Sequence, residues 1–152
     1  MLSVGKEVKM NKILFLGLGL IVLCGCDIKK NFVVGQDAFC VGLEETSTEP
    51  VFCKDAKGYP ITGKVIQYYQ NGNVYREMTI RQGKENGLEK EYYENGNLKV
   101  ELNVKNGVAD GKAFAYNEDG KLYMETVWKE GKISTAKVYD ANGEVTANTE
   151  GM

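Results

Sequence analysis

The sequence predicts an all-β protein, an elongated antiparallel β-meander of hairpin repeats that follows a disulfide-stapled N-terminal hairpin. Three similar segments recur at a period of 24 residues, and two series of glycines mark two turns in each period. Short stretches rich in Val, Tyr, Ile and Thr separate these turns. Such stretches, bounded by Asn-Gly or Asp-Gly, are typical of consecutive β-hairpins. Two turns in each period predict two strands in each repeat.

The N-terminus has the pattern of an export signal. Lys9 and Lys12 precede an apolar run from Ile13 to Leu23. A run of about eleven residues suits a signal peptide and is shorter than the roughly 20 residues that a membrane-spanning helix needs. A transmembrane helix is therefore the weaker alternative. Met10 is an alternative start, because the signal has conventional proportions without the nine residues before it.

The end of the apolar run is similar to the lipobox of bacterial lipoproteins. Its residues are Leu23-Cys24-Gly25-Cys26. The resemblance implies that residues 1–25 are a lipoprotein signal peptide and that Cys26 is diacylated. Two acyl chains hold a protein stably on a membrane. We therefore expect a membrane-anchored lipoprotein of the cell envelope that faces the periplasm or the exterior, and an ordinary secretory signal is the alternative.

The remaining cysteines predict a disulfide. Once Cys24 leaves with the signal peptide and Cys26 carries lipid, Cys40 and Cys53 are left to pair, as expected outside the cytoplasm. Both lie in short strand-like stretches, so the segment 26–54 is predicted to hold an anchor linker and a stapled hairpin. A redox-active pair is the alternative, but it lacks the close Cys-x-x-Cys spacing that lowers a thiol pKa.

The repeats fill the predicted domain 55–152. The aligned copies cover residues 63–86, 87–110 and 111–134, and a shortened fourth copy follows. The first glycine series is Gly72, Gly96, Gly120 and Gly143, and the second is Gly83, Gly107 and Gly131.

The first turn of each repeat predicts the strand register. A three-residue loop that ends in a left-handed glycine such as Gly72 places Tyr68 opposite Val74. A slip of one residue would turn every side chain to the other face. The equivalent pairs are Tyr92/Leu98, Tyr116/Leu122 and Tyr139/Val145. On this register the predicted buried face collects Ile66, Tyr68, Val74, Met78, Ile80, Leu88, Tyr92, Leu98, Val100, Leu102, Val104, Phe114, Tyr116, Leu122, Met124 and Trp128.

The opposite face is the candidate binding face. Glutamates recur there five residues after each turn glycine, together with tyrosines and Lys99. Aromatic rings with polar ends are common at protein interfaces, although a solvated outer face is the simpler alternative. The candidate residues are Tyr69, Tyr75, Glu77, Tyr93, Glu101, Tyr123 and Glu125.

The repeat pattern resembles a known family. The pattern Gly-x(5)-Tyr-x-x-Asn-Gly-x-Leu-x-x-Glu, with a closing Asn-Gly and Gly, resembles the bacterial variant of the MORN repeat found in YwqK-like antitoxins. The resemblance covers about residues 55–147, and copy three departs from it with Asn117 in place of a tyrosine. It implies a β-meander that acts as a protein–protein or membrane-proximal scaffold. An antitoxin or immunity protein that neutralises a partner toxin is the alternative function.

The composition argues against chemistry and against nucleic acid. The chain has no histidine and a formal net charge of -2, so it lacks both the commonest general base and a basic field for phosphates. We expect no enzyme activity, no metal and no cofactor, and a protein partner in addition to the membrane. A hydrolase would need carboxylate pairs such as Glu89 and Glu91, which alternate on one side of a strand and are expected to be solvated.

Overall fold

The structure, a computed structural model, describes residues 31–43 and 50–150. The signal-peptide and Cys26 predictions lie outside these residues. All regular structure in the described residues is β, which confirms the predicted fold class, and none of it is a helix that could cross a membrane. The eleven strands are β1 (Asn31–Val33), β2 (Ala38–Val41), β3 (Phe52–Asp55), β4 (Gly63–Tyr68), β5 (Val74–Arg81), β6 (Lys84–Tyr92), β7 (Leu98–Lys105), β8 (Val108–Tyr116), β9 (Leu122–Lys129), β10 (Lys132–Tyr139) and β11 (Val145–Glu150).

The strands form one sheet in the order β1-β4-β5-β6-β7-β8-β9-β10-β11. From β4 onward each strand pairs antiparallel with the next, which confirms the meander. The exception is β1, which lies parallel to β4 and places Phe32 beside Val65. The repeat pattern gave no sign of this pairing, because β1 precedes the repeats and is only three residues long.

Two kinds of turn alternate along the meander, as the two glycine series predicted. The glycine that ends each three-residue loop is left-handed, with φ of 89° at Gly72. The second kind has two consecutive residues at positive φ, such as Gln82 at 50° and Gly83 at 81°. Two positive φ angles match the right-handed twist of the strands and favour glycine at the second position. The same pair of angles recurs at 106–107 and 130–131.

The predicted pairs of the first turns are confirmed, but the predicted faces are partly wrong. Tyr68 lies opposite Val74, and the three equivalent pairs also form. One strand of each hairpin then carries one extra residue, a β-bulge, which for the first hairpin is Tyr75. A bulge shifts the register beyond it by one residue. Nine residues assigned to the buried face therefore lie on the other face. They are Ile66, Tyr68, Val74, Leu88, Tyr92, Leu98, Phe114, Tyr116 and Leu122.

The face that bears Val65 and Met78 is the core face. The hairpin of β2 and β3 packs on it, and Cys40 and Cys53 are bonded across the hairpin at a Cα–Cα distance of 4.1 Å, which confirms the predicted disulfide. The core lies at this N-terminal end of the sheet, where two layers meet. It consists of Phe32, Ala38, Val51, Cys53, Ile61, Val65, Met78 and Ile80.

Candidate functional site

The other face of the sheet is called the glutamate face here, because Glu77, Glu101 and Glu125 lie in one cross-strand row on it. Each of the three is held in a strand five residues after a turn glycine. The row crosses seven strands and alternates apolar, acidic and basic residues. In order across the sheet it reads Ile66, Glu77, Lys90, Glu101, Phe114, Glu125 and Lys137.

Each glutamate of the row is paired with a lysine on a neighbouring strand. The glutamate side chains are 22–27% exposed, so these are half-buried ion pairs at a water-accessible surface. The hydrogen bond from Lys90 to Glu101 also raises the pKa of that lysine. The charge of the face is thus largely balanced within the sheet. The pairs, with their N–O distances, are Lys64–Glu77 at 2.9 Å, Lys90–Glu101 at 2.9 Å and Lys112–Glu125 at 3.5 Å.

The candidate tyrosines link successive repeats. The Tyr69 hydroxyl donates a hydrogen bond to the backbone carbonyl of Tyr92 at 2.7 Å, and Tyr93 donates in the same way to Tyr116 at 2.8 Å. The ring of Tyr69 also packs edge-on against Tyr75, with 5.1 Å between ring centroids. These residues are half-buried. The hydroxyls of Tyr69 and Tyr93 fix the spacing of successive repeats.

The three-residue turns are tied together in a similar way. Asn73 donates a side-chain hydrogen bond to the carbonyl of Glu94 at 2.7 Å, and Asn97 donates to Glu118 at 2.8 Å. The third turn has Lys121 at the equivalent position, and its Nζ lies 3.5 Å from the carbonyl of Ala141. The turns therefore form a ladder along one edge of the sheet. This ladder and the tyrosine hydrogen bonds hold the glutamate row in register.

A second cluster of charged residues lies on the core face, where sequence reasoning did not place one. Glu85 and Glu89 are each only 4% exposed. Arg76 is paired with Glu89 and lies 3.9 Å from Glu85 and 3.8 Å from Glu91. The expectation that Glu89 lacks a burying neighbourhood is wrong, because it lies opposite Met78 at the edge of the core. Glu89 and Glu91 do share one side of β6.

Three carboxylates around one guanidinium leave excess negative charge in a buried place. Burial, together with the charge of Glu89 and a hydrogen bond to it, raises the pKa of Glu85 from 4.5 to about 8, although Arg76 lowers it. Glu85 is therefore protonated at neutral pH. The Oε1 atom of Glu85 has no hydrogen-bond partner within the described residues.

A comparison of the repeat copies could have revealed this cluster. Moving 24 residues along the chain, Arg76 becomes Val100, and all three glutamates become alanine. A joint replacement of one base and three acids by apolar residues is the signature of one buried polar network. The alanines are Ala109, Ala113 and Ala115.

The cluster is separate from a cavity in the described residues. The cavity measures about 910 Å³, and Lys64, Arg81 and Lys84 line it together with polar uncharged side chains. None of the cluster carboxylates lines it. Within residues 31–43 and 50–150, no group of His, Cys, Asp and Glu side chains has the geometry to hold a metal ion. The buried carboxylates therefore have the features of a packing element rather than of an open site.

The repeats match a known family. The family model described as the MORN repeat variant matches three consecutive segments, residues 61–82, 85–106 and 109–130. The matches begin 24 residues apart, which is the period of the hairpins. A search of curated proteins finds no match to the chain.

Proposed function

This chain is a MORN-variant repeat protein, and we propose that it is an exported lipoprotein, anchored through Cys26, that binds a protein partner in the cell envelope through its glutamate face. MORN repeats are generally non-catalytic modules for protein or membrane interaction. The observation that carries the proposal is the glutamate row itself. It repeats one combination of acid, base and aromatic group at the period of the fold, on the face opposite the core.

The chemistry of the row suits a protein partner. Its ion pairs are accessible, so a partner with its own charged groups can exchange contacts with them. Phe114 and Ile66 lie in the same row and offer apolar area between the charges. Interfaces combine an apolar centre with a polar rim in this way. Tyr92 and Tyr116 are half-buried on the same face and add rigid rings that lose little conformational freedom on binding.

Capture by cross-linking tests the proposal. A photoreactive amino acid is placed at Ile66 or Phe114, two members of the row, in cells that express the full chain. We expect the same envelope protein to be captured from both positions. In the test variant, Glu77, Glu101 and Glu125 are all changed to Gln. This change should abolish the capture while leaving the fold intact, because single ion pairs at a water-accessible surface contribute little to stability.

The chain offers a matched control for that variant. Three exposed glutamates lie in the three-residue turns or directly after one, namely Glu94, Glu118 and Glu144. Changing these three to Gln alters the net charge equally but leaves the glutamate face unchanged, so capture should persist. Equal loss in both triple variants would reject the glutamate face as the binding site. An envelope-active toxin as the captured protein would instead indicate the immunity role.

Lipid attachment is tested separately. Mass spectrometry of the purified chain should show an acylated N-terminal cysteine at position 26, and Cys26→Ser should abolish both the lipid and the membrane fraction of the protein. A soluble, unmodified wild-type chain would refute the anchor without bearing on the binding face.

A further inference from the structure

The hairpin of β2 and β3 exposes apolar residues where a solvated hairpin would expose polar ones. Its inner residues, Ala38 and Cys53, are fully buried against the core face. The alternate residues, on the outer side, should then be polar, as in antiparallel sheets with one solvent-exposed face. Instead Phe39 is 55% exposed and Val41 60% exposed. The outer residues form the hairpin patch, which consists of Phe39, Val41, Phe52, Lys54 and Pro60.

The geometry makes the hairpin patch one continuous surface. Phe39 lies opposite Lys54, which in turn bridges to Pro60, and Val41 lies opposite Phe52. The ammonium group of Lys54 sits 5.5 Å from the centroid of the Phe52 ring. The disulfide at Cys40–Cys53 fixes the two strands from the inner side. The patch is therefore held rigid without a partner.

We propose that the hairpin patch enters the interfacial layer of the membrane to which the protein is anchored. This inference rests on the proposed lipid anchor. Cys26 precedes Asn31, the first residue of β1, by five residues, so a fully extended chain between them spans about 17 Å. The end of the sheet that bears β1 and the hairpin is thus the part of the protein closest to the lipid.

The composition of the patch suits that layer. Aromatic and aliphatic side chains enter the boundary between headgroups and acyl chains, while a lysine extends its ammonium group to the phosphates. None of the five residues of the patch carries a carboxylate. The lipid anchor and the patch then hold the sheet at two points, which restricts the orientation of the glutamate face relative to the membrane.

Fluorescence quenching in proteoliposomes tests this inference. The full chain carries Trp128→Phe, which removes its one tryptophan, and Phe39→Trp as the reporter. Vesicles of phosphatidylethanolamine and phosphatidylglycerol contain lipids brominated on the acyl chains. We expect the reporter emission to shift to shorter wavelength and to be quenched. The control reporter is Val145→Trp in the same background, because Val145 is 52% exposed on β11, at the other end of the sheet.

An unquenched reporter at position 39, or equal quenching at both positions, would overturn the inference. A second measurement tests the hairpin patch independently of the lipid anchor. The Cys26→Ser chain is mixed with an excess of the same vesicles, and the fraction bound to them is measured. Adding Phe39→Ser and Val41→Ser should lower its partition coefficient into the vesicles roughly tenfold, because about half of each apolar side chain is still exposed and would be buried in the membrane. Unchanged partition would refute the patch even if the anchor is real. Absence of lipid on Cys26 would refute the anchor even if the patch partitions.

Discussion

The protonated state of Glu85 gives the protein an unusual dependence of stability on pH. In the folded chain its pKa is about 8, whereas the ordinary value is 4.5. Between these values the folded state binds one proton that the unfolded state has released. The free energy of unfolding therefore falls as pH rises through this window, and it levels off above pH 8. Each pH unit inside the window is equivalent to about 1.4 kcal/mol.

Replacing Glu85 by Gln should remove this dependence. From pH 5 to pH 7 the wild-type chain should lose about 3 kcal/mol of unfolding free energy through this group, or roughly 10 °C in melting temperature for a domain of this size. The chain has no histidine, so few other side chains titrate between these pH values. Because Gln stays neutral, Glu85→Gln should be nearly flat over the same range and more stable than wild type at pH 7.

Thermal unfolding followed by circular dichroism at pH 5 and pH 7 measures the effect. The control is Glu94→Gln, which neutralises an exposed glutamate in a turn and should keep the wild-type slope. Equal slopes in the wild-type chain and in Glu85→Gln would refute the assignment of a buried, protonated Glu85.

Three further predictions concern packing. Arg76→Val alone should destabilise the fold by about 3 kcal/mol, because it leaves buried carboxylates without their counter-charge. A joint variant copies the next repeat by changing Arg76 to Val and the three glutamates Glu85, Glu89 and Glu91 to Ala. In denaturant titrations this joint variant should recover most of the lost stability. Equal stability of the single and joint variants would contradict this. Reduction of Cys40–Cys53, which closes a loop of 13 residues, should lower the unfolding free energy by about 3 kcal/mol, and coincident titrations with and without reductant would count against it. Gly87→Ala should be more destabilising than Gly111→Ala by about 1–3 kcal/mol, because an added Cβ would lie 2.8 Å from Thr79 at the first site but 3.5 Å from Asn103 at the second; equal melting temperatures would exclude the steric reason.

Much of the fold could be predicted because short local sequences specify its turns. The two glycine series locate every hairpin of the repeat region, and Tyr68 pairs with Val74 as the loop length requires. The faces were harder to predict, because a bulge adds one residue without a distinctive sequence. Tyr75, a candidate binding residue, is itself the extra residue of the first bulge. Because of it, Tyr68 and Val74 lie on the face opposite Met78, whereas simple alternation assigns Val74 and Met78 to one face.

The repeat period predicted the candidate site, but it could not predict the buried cluster. Glu77, Glu101 and Glu125 recur at one position of every repeat, so the period alone brings them into one row. The buried acids occur in one copy only. A residue that departs from the repeat at a buried position can be recognised only once the core face is known, and the core face depends on the packing of a hairpin that lies outside the repeats.

That dependence explains why the charged network lies in β5 and β6. The hairpin covers the core face at β4 and β5, and it reaches β6 through the single pair Phe52 and Lys84. Glu85 lies opposite Ile80 at this border, so its carboxyl group is buried on one side by the core. Farther along the sheet the corresponding positions are alanines, of which Ala113 is buried and Ala109 and Ala115 are partly buried. Within one repeating sheet, the polar network thus marks the place where the two-layer core ends, and its stability should respond to pH in a way that the later repeats do not.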